Sequence, residues 1–436
     1  MSTTAEVRLW GKTIGAVSLE DKDPIASFEY DSGFVQSGIE VAPLTMPLSN
    51  QIYRFPSLSP DSFHGLPGML ADSLPDKFGN ALIDTWLAKA GRTPASFNAV
   101  ERLCYSGTRG MGALEYKPTL GPRLQQPRDI QIDRLVNLAS EILSQRKDVH
   151  LSFHSARKEE ALREILRVGT SAGGARAKAV IAWNPETNVV QSGQVKTGPG
   201  FQHWLIKFDG IQNNRDRELT DPEGYGIIEF AYYQMAIAAG LKMATCHLFK
   251  ENNRQHFMTR RFDRDHLGKK IHTLSLGGLA HFNYKTPETH SYEQVLGVMR
   301  QLKLPTPELE QFFRRMVFNI VARNQDDHVK NISFLMNKQG AWTLSPAYDV
   351  TYSYNPDGQW TGRHQLSLNG KRDGFTFDDF QSCAGLAMLK HGQARKIVNE
   401  VIEVVKGWRE FAEASGVSPD HRDRIQRVLR LDIGIN

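Results

Sequence analysis

Between residues 312 and 349 an apolar helical repeat runs directly into a polar loop, and the loop into two strand-like segments that end on an aspartate. Phe312, Met316, Ile320 and Arg323 recur at helical spacing with Phe313, Val317 and Val321 beside them, which predicts a helix with one apolar face. The loop that follows is Asn324-Gln325-Asp326-Asp327-His328-Val329-Lys330-Asn331. After it, Ile332–Met336 and Trp342–Leu344 flank Lys338-Gln339-Gly340, the pattern of a hairpin that returns Pro346-Ala347-Tyr348-Asp349 toward the loop.

Asp326 and Asn331 stand five residues apart, and Asp349 lies 18 beyond Asn331. Phosphoryl transfer from ATP needs a carboxylate beside the attacking hydroxyl and oxygen ligands that hold Mg²⁺ on the phosphates. Protein kinases supply an Asp and an Asn at that separation in one loop, and a second Asp after a short hairpin. The pattern therefore implies an ATP- and Mg²⁺-dependent phosphotransferase, with Asp326 as base and Asn331 and Asp349 as metal ligands. Asp327 is a rival base by adjacency, and only the spacing favours Asp326. Lys330 can neutralise the transferring phosphate, and His328 can hold the loop by hydrogen bonds.

Upstream, Val168–Lys178 holds Ser171, Gly173 and Gly174 ahead of the strand-like run Ala179–Trp183, a turn whose N–H groups, with Lys178 at its end, can cradle phosphates. It is not a Walker A loop, which needs Gly and Lys adjacent and a helix next. Lys207 sits between apolar residues in Leu205-Ile206-Lys207-Phe208, a costly place for an ammonium without an anionic partner. ATP phosphate and Glu229 are the natural partners, Glu229 opening an apolar helix that stops at Gly240.

At 436 residues the chain exceeds one ordinary core, so two to four lobes are expected. Hydrophobic content of 40% with 23% charge fits a globular chain. No apolar run approaches the roughly 20 residues that span a bilayer, and the first residues lack a leader pattern, so the chain reads as cytoplasmic with no membrane partner. The net charge of +5 is dispersed and permits nucleic-acid contact without requiring it. Cys104, Cys246 and Cys383 form no CxxC pair and read as buried thiols; the histidines show no HxxxH or HExxH spacing on a predicted helix. Short strands are expected over residues 5–55, including Phe28-Glu29-Tyr30 and Val41-Ala42-Pro43-Leu44, then helix over Phe63–Ala90 with Ser73 capping a start at Pro75. Tyr116–Arg128, with three prolines, marks a linker. Asp133–Gln145 and Lys158–Arg167 read as helices, Ala179–Trp183, Trp204–Phe208 and His256–Thr259 as strands, and the chain beyond Tyr292 as mostly helical. Arg422, Arg424, Arg427 and Arg430 form a basic stripe, read as a solvated face. Strands first and helices later predict an α+β body.

With these motifs the chain resembles the HipA-type serine/threonine kinases, toxin components of bacterial type II toxin–antitoxin pairs, over nearly its whole length. The resemblance rests most on Asn324–Asn331 followed by Pro346–Asp349, and extends to Pro43-Leu44-Thr45-Met46-Pro47 and Leu74-Pro75-Asp76-Lys77-Phe78-Gly79, motifs of an N-terminal subdomain that some relatives encode separately. It implies a two-lobed, protein-kinase-like α+β fold: a small β-rich N-terminal subdomain over 1–122, an N-lobe with the glycine-rich loop over 123–262, and a mostly helical C-lobe over 263–436. It also implies that Asp326 is catalytic, with His328 and Lys330 beside it, that Asn331 and Asp349 bind Mg²⁺, and that Lys207 contacts ATP phosphates. Ser171 falls where the family autophosphorylates, a modification that ejects the loop and silences the kinase. Arg260, Arg261 and Phe262 fall where a hinge binds adenine through backbone groups. By the same resemblance the substrate is a translation protein such as an aminoacyl-tRNA synthetase, its phosphorylation arrests growth, and the partner is a HipB-like helix-turn-helix antitoxin that carries the kinase to operator DNA. Two alternatives stay open: a small-molecule kinase of the aminoglycoside or sugar type needs the same metal pair, and a non-enzymatic co-repressor needs none of it.

Overall fold

In β1 (Ser2–Leu9) every second side chain from Ala5 is buried, the period-two pattern of a half-covered strand. It pairs antiparallel with β2 (Lys12–Glu20), and β2 with β3 (Ser27–Tyr30), while β4 (Leu114–Lys117) adds to the other edge of β1. Gly15 is required here: a Cβ on it would stand 2.2 Å from the Glu29 carbonyl oxygen of the neighbouring strand. The computed structural model describes residues 2–121, 129–144, 165, 177–195, 197–210 and 224–433. These group into two units, one of residues 1–41, 46–226 and 247–273, the other of residues 42–45, 227–246 and 274–436.

The first unit also holds a five-stranded antiparallel sheet of β5 (Lys178–Trp183), β6 (Val190–Ser192), β7 (Gln202–Lys207), β8 (Cys246–Glu251) and β9 (Arg254–Arg260), in the order β6-β5-β7-β9-β8. Every residue of β5 is buried. Ile181, Ile206 and Met258 of this sheet share one core with Phe78 and Leu82 of the Lys77–Lys89 helix and with Leu135 and Val136 of the Ile132–Ser144 helix. The Lys77–Lys89 helix starts later than the sequence predicts. Its cap is Asp76, whose Oδ1 accepts the Gly79 N–H at 2.7 Å, a bond Ser73 is too far back to make. Val41–Leu44 forms no strand; Val41 and Ala42 are nonetheless fully buried, and Val41 O meets His272 Nε2 at 3.2 Å. The helix expected over Lys158–Arg167 lies outside the described residues, save for the buried Ile165.

Two histidines of this unit, His256 and His272, have no solvent exposure, and burial lowers the pKa of each to about 4. His256 Nδ1 accepts the Asp209 N–H at 3.0 Å, which requires a lone pair there. The unfolded chain binds these protons near pH 6.5 and the folded chain only near 4, so stability rises with pH across that window and is lost as pH falls through it. Urea midpoints should therefore drop between pH 7 and pH 5, the unfolding free energy falling by about 2 kcal/mol per imidazole. Equal midpoints at the two values would contradict the neutral, buried assignment.

In the second unit, β10 (His272–Ser275, of which Leu274 and Ser275 belong here), β11 (Ser333–Met336) and β12 (Trp342–Leu344) form a three-stranded sheet in that order. Around it stand the helices Tyr292–Gln301, Thr306–Val321, Phe377–Ala384, Gln393–Lys406, Trp408–Ser415 and Pro419–Gln426, two of them opened by capping boxes, Ser291 with Gln294 and Thr376 with Asp379. The helix Tyr225–Ala238 begins four residues before Glu229, so Glu229 lies in its second turn rather than opening it. Cys104, Cys246 and Cys383 are buried thiols outside any disulfide. The basic stripe is not a uniform solvated face: Arg422 pairs with Glu413 at 2.6 Å and with Asp423 at 2.8 Å, while the Arg430 side chain is only 9% exposed. Among the described residues no helix is long and apolar enough to cross a membrane.

Candidate functional site

Phe312 to Val321 is buried all round except at Arg314, so the helix expected to show one apolar face is a core helix. Ala322 ends it, and Arg323 turns the chain at φ 56°. The loop then rises to Asp326, whose side chain is 48% exposed, and buries Asp327, whose side chain is 1% exposed.

The neighbours differ because of what surrounds them. Asp327 accepts from Gln365 N–H at 2.7 Å, from His364 Nδ1 at 2.8 Å and from the Tyr292 hydroxyl. Its oxygens are spent on holding the loop, which leaves Asp326 as the carboxylate of the pair that is open to solvent. His328 caps the short turn Val329–Asn331, with Nδ1 accepting the Lys330 N–H at 3.2 Å. The ring proton is then on Nε2, which faces Asp326 Oδ1 at 3.7 Å, within ion-pair range and beyond a hydrogen bond. Asn331 Nδ2 donates to the Asp326 carbonyl at 2.8 Å, so its oxygen is the end available to a cation.

The hairpin register carries Asp349 back. Phe334 faces Leu344, and Ser345 N–H donates to Ser333 O at 2.9 Å, so the residues after Ser345 run alongside those before Ser333. Tyr348, one residue from Asp349, donates its hydroxyl to the carbonyl of Lys330, one residue from Asn331, at 2.7 Å. On the other side Ala347 N–H donates to Lys242 O at 2.8 Å. Asp349 itself adopts φ 52°, a left-handed conformation that Asp and Asn tolerate best and that recurs at functional sites. Among the described residues no three His, Cys, Asp or Glu side chains cluster as a metal site. An amide oxygen with a carboxylate is instead the sparse, all-oxygen donor set that suits Mg²⁺, which keeps several waters and borrows ligands from phosphates. Lys330 Nζ stands 4.9 Å from the Tyr284 ring centroid, and the His328 ring 6.1 Å from it.

The first unit holds the other candidates. Lys207 is 9% exposed, faces Lys178 across β5 and β7, and sets Nζ 5.4 Å from the Phe257 ring. Lys178 Nζ and Asp76 Oδ2 stand 3.4 Å apart, both side chains nearly buried. Arg261 is an anchor. Its N–H donates to His203 O at 2.9 Å, and its guanidinium holds both oxygens of the fully buried Asp263, Nε to Oδ1 at 2.8 Å. Burial alone would raise the Asp263 pKa, but Arg261 and Arg264 outweigh it and hold the carboxyl far below its usual range. Arg260 is exposed and Phe262 half-buried. Glu229, 1% exposed, belongs to the second unit. Ser171, Gly173 and Gly174 lie outside the described residues. Sequence patterns did not single out Tyr348 or Asp76 for their ties, since each bonds through one side chain with no periodic signal.

Two family models match the sequence: the HipA N-terminal domain over residues 5–117 and the HipA-like C-terminal domain over residues 170–408. A Haemophilus influenzae protein described as "Putative kinase" is 28% identical over 198 residues, 40% of this chain and 58% of that protein. "Putative kinase Y4dM" of Sinorhizobium fredii is 24% identical over 224 residues, 48% of this chain and 52% of that protein. The chain thus matches little more than half the length of these relatives. A chain in the solved complex of the Shewanella oneidensis MR-1 toxin–antitoxin system HipA, HipB and its operator DNA superposes with a TM-score of 0.65 at 16% identity, covering 99% of this chain and 96% of that one. That likeness shows a shared fold, the α+β, kinase-like fold expected from the sequence.

Proposed function

The chain belongs to the HipA family, and on that premise we propose that it is an ATP-dependent serine/threonine protein kinase, the toxin of a toxin–antitoxin pair. The observation that carries this reading is the loop in which Asp326 stays exposed while Asn331 and the hairpin gather around its backbone. In the reaction the acceptor hydroxyl attacks the γ-phosphorus of ATP, the bond from that phosphorus to the β-bridging oxygen breaks, and ADP leaves. Asp326 orients the hydroxyl and takes its proton, and Lys330 offsets the charge that develops on the transferred group. Asn331 and Asp349 would hold Mg²⁺, which supplies charge neutralisation on the phosphates when bound. Lys207 serves the phosphates, and Arg260 to Phe262 the adenine base. Lys178 follows the glycine-rich sequence of Gly173 and Gly174, in which Ser171 is the self-modified off-switch. Outside the chain, the partners are a HipB-like antitoxin that binds operator DNA and a translation protein as substrate, an aminoacyl-tRNA synthetase by the family resemblance.

The purified chain with γ-labelled ATP and Mg²⁺ should label itself at Ser171 and one or a few proteins of a bacterial lysate, and EDTA should stop both. Label appearing in a metabolite would replace this reading with a small-molecule kinase. No transfer at all would replace it with a binding subunit.

A further inference from the structure

Residues 428–430 close over the end of the Thr306–Val321 helix, and the guanidinium of Arg430 sits at the centre of the contact. The two Nη1 hydrogens are shared between Ile320 O and His364 Nε2, each at 2.8 Å, while Nη2 reaches Gln325 Oε1 at 3.3 Å and also pairs with Asp373. Backbone bonds reinforce it: Arg430 N–H donates to Val321 O at 3.0 Å and Arg323 Nε to Val428 O at 2.7 Å. A guanidinium can only donate, so His364 Nε2 must accept. The one proton of the ring is therefore on Nδ1, and it points into Asp327 Oδ2 at 2.8 Å. His364 and Asp327 side chains are 0% and 1% exposed, so no water competes for either bond.

We propose that Arg430 and His364 are positioning residues for phosphoryl transfer: Arg430 fixes the Nδ1–H form of His364, and His364 with Tyr292 and Gln365 fixes Asp327 and thereby the aim of its neighbour Asp326. This rests on the kinase reading. Neither residue touches substrate. Without Arg430 the buried Nε2 lone pair of His364 has no donor, and a ring that turns or shifts its proton to satisfy it gives up the Nδ1–H bond to Asp327. The loop then loses one of the three bonds that set its height.

The test compares Arg430→Met, His364→Phe and His364→Asn in the full chain. The Asn amide nitrogen takes the place of Nδ1 and donates to Asp327 without any help from Arg430. Arg430→Met and His364→Phe should lower kcat roughly 10- to 100-fold with KM for ATP changed by less than about twofold, because what is lost is aim rather than nucleotide binding. His364→Asn should keep kcat within about fivefold of wild type, alone and combined with Arg430→Met. Wild-type kcat in folded Arg430→Met, or His364→Asn as damaging as His364→Phe, would overturn the proposal. Should Arg430→Met fail to fold, the contrast between the two His364 variants decides. Should the wild type transfer no phosphate, the kinase reading fails by itself, and amide hydrogen exchange decides the lock: Arg430→Met must speed exchange across residues 324–331, and unchanged protection refutes it.

Discussion

Asp326→Asn should slow phosphate transfer roughly 10³-fold, the usual span for removing a positioned general base, while leaving ATP affinity and the thermal midpoint close to wild type. The separation of effects follows from exposure. The Asp326 side chain is 48% open to solvent, and its contact with His328 Nε2 is 3.7 Å, too long to stabilise the fold appreciably. What anchors the residue is its backbone carbonyl, which accepts from Asn331 Nδ2 at 2.8 Å and is untouched by the substitution. Loss of transfer should therefore appear in kcat, with nucleotide binding by fluorescence or calorimetry preserved. Retained turnover in the folded variant would remove Asp326 from the chemistry.

Asp327→Ala, one residue on, should do the opposite and cost about 3–5 kcal/mol of stability, since it strands buried partners that have no other acceptor. Three donors converge on that carboxylate: the Gln365 N–H, the His364 Nδ1–H and the Tyr292 hydroxyl. All three partners are buried, and Tyr292 keeps only a long 3.4 Å contact from Asn319 Nδ2. For a unit of this size the thermal midpoint should fall by roughly 10 °C. An unchanged midpoint would mean that water replaces the carboxylate and that the burial argument fails. Adjacent aspartates thus predict one variant that folds and does not turn over, and another that barely folds.

That distinction was not legible in the sequence. The helix, the polar loop, the hairpin and the return to Asp349 were, because each is a local pattern: helical spacing to Val321, Gly340 in the turn, and alternation on either side of it. What separates Asp326 from Asp327 comes from Tyr292, at the start of a helix 35 residues before Asp327, and from His364 and Gln365, 37 and 38 residues after it in a stretch without periodicity. Lys178 reads as a phosphate ligand from its place after the glycine-rich stretch; the approach of Asp76, 102 residues earlier in the sequence, has no pattern to announce it. Arg430 misled for a related reason. Its spacing from Arg422, Arg424 and Arg427 suggests one face, but the Pro419–Gln426 helix has ended by then and the chain beyond follows the end of another helix.

The contact between Arg430 and Gln325 joins residues 105 apart in the chain. At a translation rate of roughly 5–20 residues per second, the ribosome needs about 5–20 s to get from the loop to the arginine that seats it. During that interval a nascent chain can form the Thr306–Val321 helix and the hairpin from local contacts, yet His364 has no guanidinium to choose its tautomer and the carbonyls of Ile320 and Val321 face water. Order of synthesis then becomes a timer: the loop is drawn early and set late, and any partner that captures the growing chain before residue 430 emerges meets it unset.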